Sequence, residues 1–127
     1  TLVGESAGGS MAINLFAAHP KVARLITVAG VNMPSAPVEQ VKLRKSSAFA
    51  TSRQQLRDSL LRIDENRRHD IYTLSALNDN VVQSQHSVIP GSHARRILSV
   101  GHLATIALCL TVISGYIVYL AKKPTSV

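Results

Sequence analysis

Three residues in this chain have the side chains and the local settings for nucleophilic chemistry: Ser6, Asp79 and His102. Ser6 stands between glycines in Gly4-Glu5-Ser6-Ala7-Gly8, where an apolar run breaks into small residues. A serine hydroxyl attacks a carbonyl usefully only when a base removes its proton, and that base needs a third group to orient it. Spacing alone carries moderate weight, because G-x-S-x-G arises by chance in roughly 4% of chains of this length at ordinary glycine and serine usage. The competing role for Ser6 is a helix N-cap, which serine commonly fills. The elements around it decide between the two.

"TLV" reads as the end of a strand, and "SAGGSMAINLFAAH" as a helix with Met11, Leu15 and Phe16 at helical spacing, stopped by Pro20. Residues 22–31, "VARLITVAGV", form a nearly continuous apolar run rich in β-branched side chains, the pattern of a strand buried on both faces. "NMPSAP" is a loop. From Val38 to Arg68 the chain turns polar and basic, with Leu56, Leu60, Leu61 and Ile63 marking an amphipathic helix. "DIYTLSAL" (70–77) reads as a strand ended by "NDN", "VVQSQHSVI" as a short helix or loop, and "ARRILSV" as another strand. Gly101-His102 then opens a long uncharged helix. Strands alternating with helices predict an α/β class with a parallel sheet and crossover helices.

That architecture gives the three residues a common address. Ser6, Asp79 and His102 each follow the end of a strand, and parallel strands put those ends on one edge of the sheet, where open α/β sheets bind ligands. The helix after Ser6 would aim its free N–H groups at charge developing on an attacked carbonyl. The glycines beside Ser6 are expected to be required sterically, since side chains there would collide with neighbouring backbone. His86 and His93 are rival bases, but neither directly follows an apolar strand; His19 ends a helix and His69 lies in a charged run. Asp58, Asp64 and Asp70 fall in the polar insert or at a strand start. Asp79 has a plain alternative as a turn residue beside Asn78 and Asn80, and His102 as a surface histidine at a helix start.

"GESAGG", "ALNDNVV" and "SVGHL", in that order and on those elements, resemble the nucleophile elbow, acid turn and histidine loop of the α/β-hydrolase family. The resemblance covers the C-terminal half of that fold, from the elbow to the final helix. It implies a serine hydrolase cleaving an ester, amide or related acyl bond. Ser6 would be the nucleophile, His102 the base and Asp79 its orienting acid, with the Ala7 N–H as oxyanion donor. The family's earlier strands and the loop carrying its second oxyanion donor have no counterpart here. The chain therefore reads as part of a longer protein, marginal in isolation, with the strand of "TLV" left with an unpaired edge. The insert 32–69 occupies the place of the family's cap and is short. The alternative function is a non-catalytic module binding a ligand or partner on the same fold.

Composition narrows the classes further. Of 127 residues 46% are hydrophobic, none is Trp, and the single Cys109 excludes an internal disulfide framework and most cysteine metal sites. The formal charge of +7 raises nucleic acid or an anionic membrane as partners. The bases are spread over Lys42, Arg44, Lys45, Arg53, Arg57, Arg62, Arg67, Arg68, Arg95, Arg96, Lys122 and Lys123 without interleaved aromatics. A solvated basic surface is the preferred reading, and no nucleic-acid partner is expected. No cofactor and no metal is implied, and the expected partner is a small acyl substrate. The uncharged run 103–121, ending at Lys122-Lys123, meets the length and composition of a membrane span, with Tyr116 and Tyr119 suited to an interface. A final helix packed on the sheet is preferred, with a cytoplasmic location; membrane association through this run is the alternative.

Overall fold

The computed structural model describes residues 1–37 and 46–124. Its frame is a four-stranded sheet of β1 (Leu2–Glu5), β2 (Leu25–Val28), β3 (Ile71–Asn78) and β4 (His93–Val100), hydrogen-bonded in that order. All three pairings are parallel, so the chain is of the α/β class. Helices α1 (Gly8–Ala18), α2 (Ser47–Arg62), α3 (Glu65–Arg68) and α4 (Ser84–Ser87) lie in the crossovers, and α5 (His102–Leu110) and α6 (Ser114–Lys122) follow β4.

Strand alternation divides the core between the two faces of the sheet. Leu25 and Ile71 join Ile13 and Phe16 of α1 and Leu56 of α2 on one face. Ile26, Val28, Tyr72 and Leu74 join Cys109 of α5 and Leu120 of α6 on the other. All four residues of β2 are buried, as its apolar run predicts, but the strand is shorter than that run. Ala29 takes a positive φ of 45° and turns the chain out of the sheet. On α1 the sheet-facing arc is Ala12, Ile13 and Phe16; Leu15, expected in the core, points into a surface groove between α1 and α2. In α2 the expectation holds for Leu56, which is wholly buried, while Leu61 stands exposed one position off that face. Each fully buried side chain of this size contributes about 1.5–3 kcal/mol.

Of the insert 32–69, residues 38–45 lie outside the described residues, and with them Lys42, Arg44 and Lys45. Its helix α2 is capped by Ser46, whose hydroxyl accepts the Phe49 N–H, and packs through Leu56 into the core beside α1. The basic side chains here do more than meet solvent. Arg53 donates to the carbonyls of Pro34 and Ala36, and Arg68 to those of Leu60, Ile63 and Pro90. Arg67 donates to the Val22 carbonyl and lies 4.0 Å over the Phe16 ring. Guanidinium groups with several fixed donors suit this stitching of loops. Arg24 is buried at the opposite edge of the sheet from Ser6 and caps the end of α6, donating to the carbonyls of Leu120, Lys123 and Pro124. A cation there also meets the negative end of the helix dipole.

The run 103–121 is not one helix. It breaks after Leu110, and α5 and α6 meet at 67°. Thr111 and Ser114 turn their hydroxyls onto the carbonyls of Ala107 and Thr111, a local bonding pattern that competes with regular helix. Among the described residues no single helix is long and apolar enough to cross a membrane. On one side of the pair Ile106, Cys109, Ile113, Ile117 and Leu120 pack toward the sheet, and the other side is exposed.

Candidate active site

Ser6 occupies the turn between β1 and α1 with φ at +48°, a region that side chains other than glycine rarely enter. The helix begins at Gly8 rather than at Ser6, so Ser6 is not an N-cap; Ala7 holds that position. Three backbone hydrogen bonds fix the turn. Ser6 N–H donates to the Val28 carbonyl at 3.0 Å, and the Ser6 carbonyl accepts from Gly9 N–H at 3.0 Å and Val31 N–H at 2.9 Å. The last of these depends on the strained Ala29, which redirects the chain toward Ser6. Strain of this kind costs about 1–3 kcal/mol per residue and persists only where surrounding bonds enforce it.

The expected steric role of the two motif glycines is half right. A Cβ on Gly4 would stand 2.6 Å from the Gly8 carbonyl oxygen and 2.7 Å from Ala12 Cβ, so β1 and α1 touch at that point. A Cβ on Gly8 would meet nothing within 4 Å. The second glycine that the packing requires is Gly9, where a Cβ would stand 2.6 Å from Asn32 Oδ1 and 2.9 Å from Gly30 Cα. Gly4→Ala and Gly9→Ala are therefore expected to destabilise the fold by about 1–3 kcal/mol, the usual cost of overpacking. Gly8→Ala is expected to be neutral or mildly stabilising, because alanine is the better helix former. Thermal unfolding of the three variants checks this, and a Gly8→Ala loss as large as that of Gly4→Ala would contradict the packing.

Asp79 and His102 come to the site from the ends of β3 and β4. β3 ends at Asn78, whose carbonyl accepts the Gly101 N–H at 2.8 Å, tying the acid turn to the histidine loop. Gly101 has φ at +98°, which lets the chain reverse from β4 into α5 directly before His102. Asp79 Oδ1 accepts the N–H groups of Val81 and Val82, each at 2.8 Å, and Oδ2 lies 2.8 Å from His102 Nδ1. His102 Nε2 lies 2.7 Å from Ser6 Oγ. With the carboxylate accepting at Nδ1, that nitrogen carries the imidazole proton, and Nε2 is left to accept from the serine hydroxyl. Both Asp79 and His102 are buried.

Ser6 and His102 open onto a cleft of about 590 Å³, walled further by Asn80, Val81 and Leu103. Asp79 stays behind the imidazole and does not line it, and α2 contributes no wall. The Ala7 N–H donates to no acceptor among the described residues, and Ala7 holds the N-cap of α1 directly after Ser6. The rival histidines lie elsewhere. His86 Nε2 is 3.3 Å from the Gln85 amide, and His93 stacks on Tyr72 at 4.8 Å between ring centroids. Among the described residues no group of His, Cys, Asp and Glu side chains is placed to hold a metal ion. Burial pushes the Cys109 thiol above its ordinary value and away from the reactive thiolate.

Sequence reasoning did not find Val31, whose N–H clamps the elbow, or Asn32 beneath it. Asn32 is wholly buried and bonds the Thr27 hydroxyl and the Ser87 carbonyl, joining β2 to α4. The only signal in the sequence was a polar residue immediately after an apolar strand. Compared with models of known protein families the chain matches none, and comparison with curated proteins likewise finds no match.

Proposed function

We propose that this chain carries the catalytic residues of a serine hydrolase of α/β-hydrolase type, cleaving an ester, amide or related acyl bond. The observation that carries this reading is one unbroken relay: Ser6 Oγ 2.7 Å from His102 Nε2, and His102 Nδ1 2.8 Å from Asp79 Oδ2, with Ser6 in a strained strand-to-helix turn. In this reading Ser6 Oγ attacks the acyl carbon while His102 Nε2 takes its proton. The tetrahedral oxyanion receives the Ala7 N–H. His102 then returns the proton to the leaving group, an acyl-serine remains, and water activated by the same Nε2 releases the acid. Asp79 holds the imidazole in the required tautomer and stabilises the imidazolium formed in each half-reaction.

A fluorophosphonate probe tests the assignment without knowledge of the substrate. The expected result is one phosphonyl adduct on the Ser6 peptide by mass spectrometry, absent from Ser6→Ala. Equal labelling of that variant, or none of the unaltered chain, would overturn the proposal.

A further inference from the structure

The outward side of α5 and α6 lacks what a solvent-facing helix pair needs. Leu103, Ala107 and Leu110 form an exposed stripe on α5, and Val112, Val118 and Tyr119 continue it. Leu103 is 79% exposed and Val112 78%. The threonine and serine hydroxyls of this region do not supply a polar face, since Thr105, Thr111 and Ser114 each bond a backbone carbonyl. So many exposed large apolar side chains on one helix pair mark an interaction site.

Charge identifies the occupant. From His93 to Pro124 the chain contains no Asp or Glu, while it contains Arg95, Arg96, Lys122 and Lys123. Both arginines are exposed; Arg95, paired with Leu74, lies on the helix-pair face and joins Leu108, Ile113 and Tyr116 around a groove of about 430 Å³ between β4 and the helix pair, whereas Arg96 alternates to the other face of the sheet. Neither makes a salt bridge among the described residues. A second copy of this chain would bring the same cations against them with no acid in the patch to pair, so self-association is disfavoured. An apolar face with a basic rim and tyrosines at its border fits an anionic lipid surface. The 67° bend divides the segment into two short arms, which suits lying in the headgroup region rather than crossing it.

We propose that α5 and α6 form a docking face for anionic membranes, the apolar side of the pair entering the interface and Arg95 meeting lipid phosphates. Leu103 belongs both to this face and to the cleft beside Ser6, so docking brings the cleft mouth to the lipid surface. That consequence for substrate access rests on the proposed function; the docking itself does not.

Vesicle flotation of the full chain tests it, with phosphatidylcholine vesicles against vesicles containing 30% phosphatidylglycerol (roughly the anionic content that gives a strong surface potential). The expected result is at least about a tenfold preference for the anionic vesicles, with roughly a fivefold loss in Arg95→Ala, since each basic residue near such a surface is worth about fivefold. The chain has no Trp, so Val112→Trp gives a single reporter, expected to shift blue and be quenched by brominated lipid. Ser6→Ala should bind as the unaltered chain does, which separates docking from catalysis. No flotation, equal flotation with neutral vesicles, unchanged binding of Arg95→Ala, an unquenched reporter, or a concentration-dependent dimer in place of vesicle binding would each overturn the proposal.

Discussion

Replacing His102 by alanine is expected to slow acyl turnover by about six orders of magnitude, the loss seen when the base of a serine–histidine pair is removed elsewhere. Among the described residues no other group is placed to take over. Among the described residues His102 Nε2 is the one base bonded to Ser6 Oγ, at 2.7 Å. His86 and His93 are engaged with Gln85 and Tyr72. The backbone bonds that hold Ser6 run to Val28, Gly9 and Val31, so the elbow should survive the substitution. The measurement is the steady-state rate on an activated ester, with the rate of fluorophosphonate labelling as a second readout. Retention of more than about a hundredth of the activity would mean that another base serves Ser6.

Asp79→Asn is expected to cost about four orders of magnitude while leaving the fold in place. The reason lies in how the carboxylate is held. Its Oδ1 accepts two backbone N–H groups, from Val81 and Val82, so an asparagine must keep its carbonyl oxygen there. Its amide nitrogen then faces His102 Nδ1, where Oδ2 now stands at 2.8 Å. A donor in that place forces Nδ1 to accept, which moves the ring proton to Nε2 and leaves no lone pair for the serine hydroxyl. The reversed amide would set an N–H₂ against two N–H donors and is worse. A loss of activity with unchanged thermal unfolding checks this. Near-normal turnover would show that Asp79 is only the turn residue that its neighbours Asn78 and Asn80 suggest.

Much of this site was legible without coordinates because parallel sheets obey a simple rule. Every strand of a βα repeat ends on the same edge. A serine, an aspartate and a histidine that each follow an apolar strand are thereby brought near one another, although 96 residues separate His102 from Ser6 and 23 separate it from Asp79. The same logic set aside His93, which opens β4 instead of following it.

Other features depend on which atoms meet, and periodicity carries no such information. Helical spacing placed Met11, Leu15 and Phe16 on one stripe, but the sheet selected the adjacent arc of Ala12, Ile13 and Phe16. The sequence alone determined an α/β chain with a strained serine turn, because strand period, glycine placement and element order are local properties. Only the tertiary structure decided that Gly9 rather than Gly8 must lack a side chain, since Asn32 approaches it from beyond β2. It likewise decided that Arg24 is buried against the end of α6, that Ala29 is bent to clamp Ser6, and that the run 103–121 breaks in two. Each of these is settled by contacts between segments distant in the chain, or by backbone groups choosing among several available partners, and neither is written in the order of the residues.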